Sequence, residues 1–586
     1  MPQKNRSQAS AVSELPTVNL GNLYSQVTSL GTSQGRNQKA KSRLSAELHI
    51  EPLHLALVQI RSPDLIGDAT LQGVGQTLSQ LSRLGLGCVV VLGHASTQSR
   101  GCYTGPLPTW RANDIEQADR VIAAIDAHSD HGARRLDGIV ELLANKDGSS
   151  TPVKLRGRAR VMNRSLLLAP LKRGVIPVLM PVGHTADTIR IAPVEAREVV
   201  LALAREFAGI TSSSGSADDL LDLVEKVKLA QKEISLDRII VLDQTGGIPS
   251  TNRLNRSHVF INLEQEYETI NEELAKLREN SPACHYESHQ ANLQLIQDTL
   301  ALLPPSSSAL LTTPQEVAGT NHTKEADTLP GVGTRPKRNV LIHNLLTDKP
   351  IFSSSLPATR LGPPSPHLPS SGTQSLPSTF IKRGMPLTII PDPRPSPWTP
   401  PTTTSEPLSL LDPRIDFPRL LHLIEDSFGR KLDVDHYLSR ISRNLAGIII
   451  AGSYEGAAIL TWESPPGLPP SVTPTPDRKV PYLDKFAVLR RSQGAGGVAD
   501  IIFSAMVREC FPQGVVWRSR QDNPVNKWYF ERSRGTWKIP IEGKTRKQGW
   551  TMFWTTERVS GERFGDYAGV CGSVVPSWGD GRAVLD

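Results

Sequence analysis

Cysteine is scarce and scattered: Cys88, Cys102, Cys284, Cys510 and Cys571 are five in 586 residues, with no Cys-x-x-Cys spacing. An odd number at unrelated intervals suggests neither a disulfide framework nor a zinc site, so no metal is expected. No apolar run approaches the roughly 18 residues that would cross a bilayer. Aromatic residues make up only 5% of the chain. A basic stripe with interleaved stacking rings is also lacking, although the formal charge is +7, and nucleic-acid binding is set aside.

The positive charge is concentrated at one end. Lys4, Arg6, Arg36, Lys39, Lys41 and Arg43 stand against Glu14 alone in the first 46 residues. That segment is rich in Ser and Gln and has no apolar core of the secretory kind. It has the composition of a mitochondrial targeting segment, with an ordinary disordered terminus as the alternative.

From residue 53 to residue 391 strand-like and helix-like pieces alternate. Strands are predicted over 54–60, 87–93, 175–182 and 238–243, and helices over 71–84 and 194–207. This alternation predicts an α/β fold with helices covering a sheet. Ser- and Pro-rich runs at 304–337 and 354–378 read as surface insertions or linkers, and 380–390 as the end of a final helix and the last strand of this first domain. Residues 391–407, crowded with Pro and Thr, read as a semi-rigid linker and place the boundary there. Beyond it a helix is predicted over 412–428 and strands over 441–451 and 457–462.

The most informative stretch is 480–534. A strand ending at Leu489 runs into Arg491-Ser-Gln-Gly-Ala-Gly-Gly497, after which Val498, Ile501, Ile502 and Ala505 repeat at helical spacing. A strand that turns through glycines into a helix start leaves backbone N–H groups without carbonyl partners, an anion cradle; a plain glycine turn is the alternative. The sequence matches neither G-x-G-x-x-G nor G-x-x-x-x-G-K-[ST]. Downstream, Asn523-Pro524 predicts a helix start that places Tyr529 in the second turn, where it is either a proton donor or one of three core aromatics with Trp528 and Phe530.

Arg491-x-x-Gly494-x-Gly496 resembles the [QR]-x-x-G-x-[GA] signature of the GNAT acetyltransferases. The segments YLDKFAVL, QGAGGVADIIF, WRSRQDNPVNKWYFERSRGTWK and WTMFWT together resemble the acetyltransferase domain of the mitochondrial amino-acid acetyltransferases, the N-acetylglutamate synthases of fungal arginine biosynthesis. GVIPVLMPVG, RIIVLDQTGGIPS and SHVFINLEQEY resemble the amino-acid-kinase-like domain that precedes it. The resemblance implies a three-layer α/β kinase-like domain (50–391), a linker (392–406), a GNAT-type mixed-sheet domain (407–560) and a tail (561–586). It implies a matrix enzyme that transfers acetyl from acetyl-CoA to L-glutamate. Feedback inhibition by L-arginine, a homo-oligomer and a complex with N-acetylglutamate kinase are further implications. The rival classes are a non-catalytic arginine sensor and a GNAT enzyme for another amine.

Position by position, the resemblance assigns Asn523 and Tyr529 to catalysis and Lys431, Lys485, Arg518 and Arg520 to glutamate. Acetyl-CoA falls to Phe486, Ala487, Val488, Arg491, Gln493, Gly494, Ala495, Gly496 and Gly497. Alternation places Lys485 on a strand face with Leu483, Ala487 and Leu489, where a charge needs a partner or a ligand. Arg518 and Arg520 share a face; they suit carboxylates, or an ordinary salt-bridge pair. No phosphotransfer is expected of the first domain, because its first strand runs into Gln59-Ile-Arg-Ser-Pro-Asp64 with neither lysine nor paired glycines.

Overall fold

The structure is a computed structural model. It describes residues 52–93, 107–143, 159–185, 190–210, 233–251, 257–280, 285–319, 339–350, 355–356, 378–401, 407–466, 478–494, 497–540 and 549–579. The predicted targeting segment, most of both Ser/Pro-rich runs, and Ala495 and Gly496 lie outside these residues. The chain divides into two compact units, Met1–Ile240 and Val241–Asp586.

The first unit is built on β1 (Leu53–Ile60), β2 (Gly87–Leu92), β3 (Ala133–Leu136) and β6 (Ile176–Leu179), in the order β1-β2-β6-β3, with all three pairings parallel. Ala56, Val58, Val89, Val90 and Val178 are fully buried, the continuous apolar run expected of a covered parallel strand. Helices α1 (Asp68–Arg83) and α2 (Leu107–Asp126) pack closely because Gly75 lies against the Ala124 carbonyl, which a Cβ would strike at 2.2 Å. A small second sheet holds β4 (Val140–Leu142), β5 (Ala159–Val161), β7 (Val182–Thr185) and β8 (Ile191–Pro193) in the order β5-β4-β7-β8. The single strand expected over 175–182 is therefore two strands in different sheets. Helices α3 (Arg164–Leu171) and α4 (Ala196–Phe207) and strand β9 (Ile234–Leu242) complete the sequence of elements.

In the second unit β12 (Ser378–Lys382) lies between β10 (Phe260–Asn262) and β11 (Ser308–Thr312), parallel to the first and antiparallel to the second. Helices α5 (Leu263–Asn280) and α6 (His285–Ala301) pack against these strands. The chain then enters a seven-stranded sheet. Its strands are β13 (Leu387–Ile390), β14 (Leu445–Ala451), β15 (Gly456–Glu463), β16 (Val480–Val488), β17 (Val516–Arg520), β18 (Gly535–Ile539) and β19 (Trp550–Trp554), in the order β13-β14-β15-β16-β17-β19-β18. Along β14 and β15 the two faces alternate cleanly. Ile449, Ala458 and Leu460 enter one core, and Ile448, Ile450, Ala457 and Ile459 enter the other.

Residues 380–382, expected as a helix end, belong to strand β12. The strand Leu387–Ile390 does not close the first domain but edges this sheet, paired to β14 from Leu387↔Ala451 to Ile390↔Ile448. The crossing between sheets therefore falls at 383–386. The Pro-rich stretch after it, expected as a semi-rigid linker, is anchored at Trp398, which is buried, edge-on to Phe511 at 5.5 Å, and donates its indole N–H to the Pro391 carbonyl at 2.9 Å. The tail, to which the sequence assigns no element, carries helix α13 (Gly561–Ser573), whose Tyr567, Val570 and Cys571 are buried with Val480, Tyr482 and Met552. In between, the helix predicted over 412–428 is α9 (Phe417–Phe428), begun by an Asp416 cap, and a separate helix α10 (Val434–Ile441) takes the first residue of the strand expected at 441.

Candidate active site

Every pairing in the seven-stranded sheet is antiparallel except β16 with β17, which are parallel and meet at a single register point, Tyr482↔Val516. Past that point the two strands form no further ladder pairs, so Phe486, Ala487 and Val488 lie on β16 beyond its pairing with β17. A parallel pair that separates makes a slot in which an extended ligand can take the place of a strand.

At the end of β16 the chain makes a short turn over Arg490–Ser492 and passes through Gly494 and Gly497, both left-handed (φ +78° and +70°), into α11 (Val498–Ala505). A side chain at either glycine would meet nothing within 4 Å, and no side chain caps α11. Among the described residues no side chain therefore caps the first-turn N–H groups at the positive end of this helix. Gln493 ties the turn back by donating to the Val488 carbonyl at 3.1 Å. Beside it a cavity of about 510 Å³ is lined by Arg491, Leu489, Arg419, His422 and Tyr454.

Helix α12 (Asn526–Arg532) begins two residues later than Asn523-Pro524 suggested. Asn523 makes a turn instead of a helix cap: its Oδ1 accepts from Val525 N at 3.0 Å and its Nδ2 donates to Ser519 Oγ at 2.9 Å. Tyr529 consequently lies in the first half of α12, packed against Trp517, Trp528 and Phe553 with ring centroids 5.4–5.5 Å away. It belongs to the core, and burial holds its hydroxyl well above the usual tyrosine range.

The four cations have distinct environments. Lys485 is 7% exposed, with its ammonium 3.7 Å from Asp484 and 5.3 Å and 5.1 Å from the rings of Tyr437 and Trp578. The register of β15 against β16 shifts at this point, Leu460 facing Leu483 while Ile459 faces Lys485, so Asp484 is the extra residue of a β-bulge. The bulge turns Leu483 to the opposite core from Ala487 and Leu489, against the expected alternation, and aims both Asp484 and Lys485 at Tyr437. Lys431 is exposed and paired with Glu425 at 2.5 Å. Arg520 is half-exposed and forks onto Asp522. Arg518 donates to the Cys571 and Val574 carbonyls at 2.6 and 2.7 Å, at the end of α13, and stacks on Trp550.

Among the described residues, the segment following α13 touches the surroundings of Lys431, Lys485 and Arg518, but not Arg520. Asp433 N donates to Ser577 O at 3.0 Å and Gly579 N to Lys431 O at 2.9 Å, while Trp578 covers Lys485. Behind Lys485, Asp484 accepts from the Tyr437 hydroxyl at 2.8 Å and pairs with Arg440. Burial alone would raise the Asp484 carboxyl, but the Lys485 and Arg440 charges and the two hydrogen bonds outweigh it and hold it below the usual range. Sequence reasoning missed Tyr437, Asp484 and Trp578. The adjacent Asp484-Lys485 on an otherwise apolar strand was the one available signal.

The profile of the N-acetyltransferase domain of N-acetylglutamate synthase matches residues 404–566. The mitochondrial amino-acid acetyltransferase of Ajellomyces capsulatus is 46% identical over 92% of this chain and 83% of its own length. That of Talaromyces stipitatus is 44% identical over 100% of this chain and 90% of its own. The chain belongs to the mitochondrial amino-acid acetyltransferase family. Within this family's chain, β14 to β19 fall in the matched acetyltransferase segment, whereas β13 lies before it and part of α13 beyond it. A solved N-acetylglutamate synthase from Neisseria gonorrhoeae, complexed with coenzyme A and N-acetyl-glutamate, aligns at 15% identity and a TM-score of 0.43, covering 86% of this chain and 96% of that one.

Proposed function

We propose that the chain transfers the acetyl group of acetyl-CoA to the α-amine of L-glutamate, giving N-acetyl-L-glutamate and CoA by direct transfer in a ternary complex. The observation that carries this reading is the slot between β16 and β17, with a glycine turn at one end and buried Lys485 beside it. Acetyl-CoA lies along Phe486, Ala487 and Val488 with its diphosphate on the turn from Arg491 to Gly497. Lys485, Lys431 and Arg520 supply positive charge for the two carboxylates of glutamate. Arg518 supports the same pocket from behind through its hold on α13.

Fixing amine and thioester together supplies much of the acceleration. Asn523, held by Ser519, orients the amine. Tyr529, kept protonated by its buried setting, gives its proton to the departing thiolate. No covalent acyl-enzyme is proposed, since Cys510 is buried at the far end of the segment following α11, where burial pushes its thiol up.

The preceding kinase-like part acts as a scaffold without phosphotransfer, where L-arginine inhibits and where a homo-oligomer or an N-acetylglutamate kinase complex forms. The site of action is the mitochondrial matrix. An assay of CoA release with L-glutamate, other amino acids and peptides, with and without L-arginine, tests the whole reading. Turnover confined to L-glutamate is expected; turnover with peptides alone, or none with any acceptor, overturns it. Recovery of the native protein with Met1 intact would overturn the targeting assignment.

A further inference from the structure

Arg532, three residues beyond Tyr529 on α12, is 5% exposed. Its guanidinium reaches to Asp500 in the first turn of α11, with Nη2 and Nε at 2.8 and 3.0 Å from Oδ1. The Ser355 hydroxyl donates to the same oxygen at 2.5 Å and accepts from Arg532 Nε at 2.7 Å. The guanidinium lies 4.1 Å from the Trp528 ring and donates to the Trp528 carbonyl at 3.2 Å. Trp528 itself touches Phe503 of α11 and Phe486 of β16, with centroids 5.2 and 5.9 Å apart. One buried cation therefore joins the helix that begins at the glycine turn to the helix that carries Tyr529.

Asp500 is in an awkward place for an anion site. It sits three residues past Gly497, in the first turn of α11, where a carboxylate competes with any phosphate for the positive end of the helix. Arg532 answers that charge from the protein side.

Resting on the reading that the diphosphate of acetyl-CoA docks on this turn, we propose that Arg532 is a positioning residue for the acetyl donor. It neutralises Asp500 so that the turn accepts a diphosphate, and it clamps α12 to α11 so that Tyr529 faces the thioester end. Charge serves the first role and fork geometry the second, so the two are separable.

The test is calorimetric titration of CoA into the full chain at low and high salt, together with steady-state kinetics. Arg532→Gln is expected to bind CoA about tenfold more weakly, because it removes the cation paired with Asp500 and leaves the carboxylate charge uncompensated by Arg532. The deficit should shrink as salt rises, since exposed charges are screened. Arg532→Gln with Asp500→Asn is expected to recover CoA affinity while kcat stays low. Arg532→Lys, which keeps charge and loses the fork, is expected to hold CoA affinity and lose kcat. A double variant as weak as the single one at every salt concentration would show loss of fold in place of uncovered charge and overturn the proposal. A parent chain that binds no CoA removes the docking reading and this inference with it. A parent that binds CoA alongside an Arg532→Gln variant of equal affinity removes this inference alone.

Discussion

The guanidinium of Arg518 donates to the Cys571 carbonyl at 2.6 Å, so a strand residue of the acetyltransferase sheet holds the end of the last helix. Its second donor reaches Val574 at 2.7 Å, and two carbonyls at one helix end suit a planar fork better than an ammonium. Arg518→Lys is therefore expected to destabilise the chain by about 1.5–3 kcal/mol, the worth of hydrogen bonds to a charged group. Arg520, half-exposed and paired with Asp522, should behave oppositely. Arg520→Ala is expected to change stability by about 0.5 kcal/mol or less while raising KM for glutamate. Thermal melts beside KM measurements check both. An Arg518→Lys variant with an unmoved melting temperature would show that its contacts with α13 do not anchor the helix.

Trp578 offers a second test of the pocket. It covers Lys485, and its neighbours Ser577 and Gly579 hold the loop that carries Lys431. Cation–ring contacts at partly buried sites are worth about 0.5–2 kcal/mol. Trp578→Ala should accordingly raise KM for glutamate about three- to thirty-fold and leave KM for acetyl-CoA unchanged. An equal rise in both would mean that the segment supports the whole domain and not the acceptor side.

The strand, glycine turn and helix of 480–505 were legible because each is decided locally, by apolar spacing and by glycines where the backbone is left-handed. What escaped was decided by tertiary contacts. Four residues, Leu387–Ile390, read alike in either sheet, and only the pairing with β14 chooses between them. The prolines of 391–401 signal a linker by lacking N–H donors, yet a single buried Trp398 anchors the stretch. Helix α13 contains Gly561, Gly565, Gly569 and Gly572, of which Gly565 and Gly569 lie in the helix interior, each unfavourable there by about 1 kcal/mol relative to alanine. Its packing on Tyr482 and Met552 and the Arg518 contacts offset that cost. The bulge at Asp484 defeats alternation because one extra residue exchanges the faces of everything before it.

Asp484 governs an acid-side prediction. Its folded-state pKa is lowered, so it contributes stability above the unfolded carboxylate pKa, about 3.9, and loses it as pH falls through the folded value. Asp484→Asn removes that contribution and leaves Arg440 and Lys485 facing each other around Tyr437. Breaking one partner of a buried pair costs about 3–5 kcal/mol. The parent chain should lose stability below about pH 4 more steeply than the variant. Denaturant melts of both proteins between pH 3 and pH 7, taken about one unit apart, would show it. Parallel curves would mean that Asp484 does not titrate against these cations.

Tyr529 carries the chemical step of the proposal, and its surroundings fix the expected pH behaviour. Packed among Trp517, Trp528 and Phe553, the phenol has its pKa raised by burial, so it stays protonated through the range near pH 10 where a free tyrosine ionises. If it is the acid for the departing thiolate, kcat has no falling alkaline limb from this group below about pH 10. Tyr529→Phe keeps the ring in the core and removes only the proton. The expected result is a kcat lower by about 10²–10⁴, with CoA affinity and melting temperature close to those of the parent. A fall in kcat accompanied by an equal loss of stability would instead mark Tyr529 as a core aromatic, and an unchanged kcat would take it out of the mechanism. Measuring kcat beside the melting temperature in both proteins separates these outcomes, because loss of a proton donor lowers kcat alone and loss of a packing residue lowers stability as well, while the profile from about pH 7 to about pH 10 keeps its shape in both.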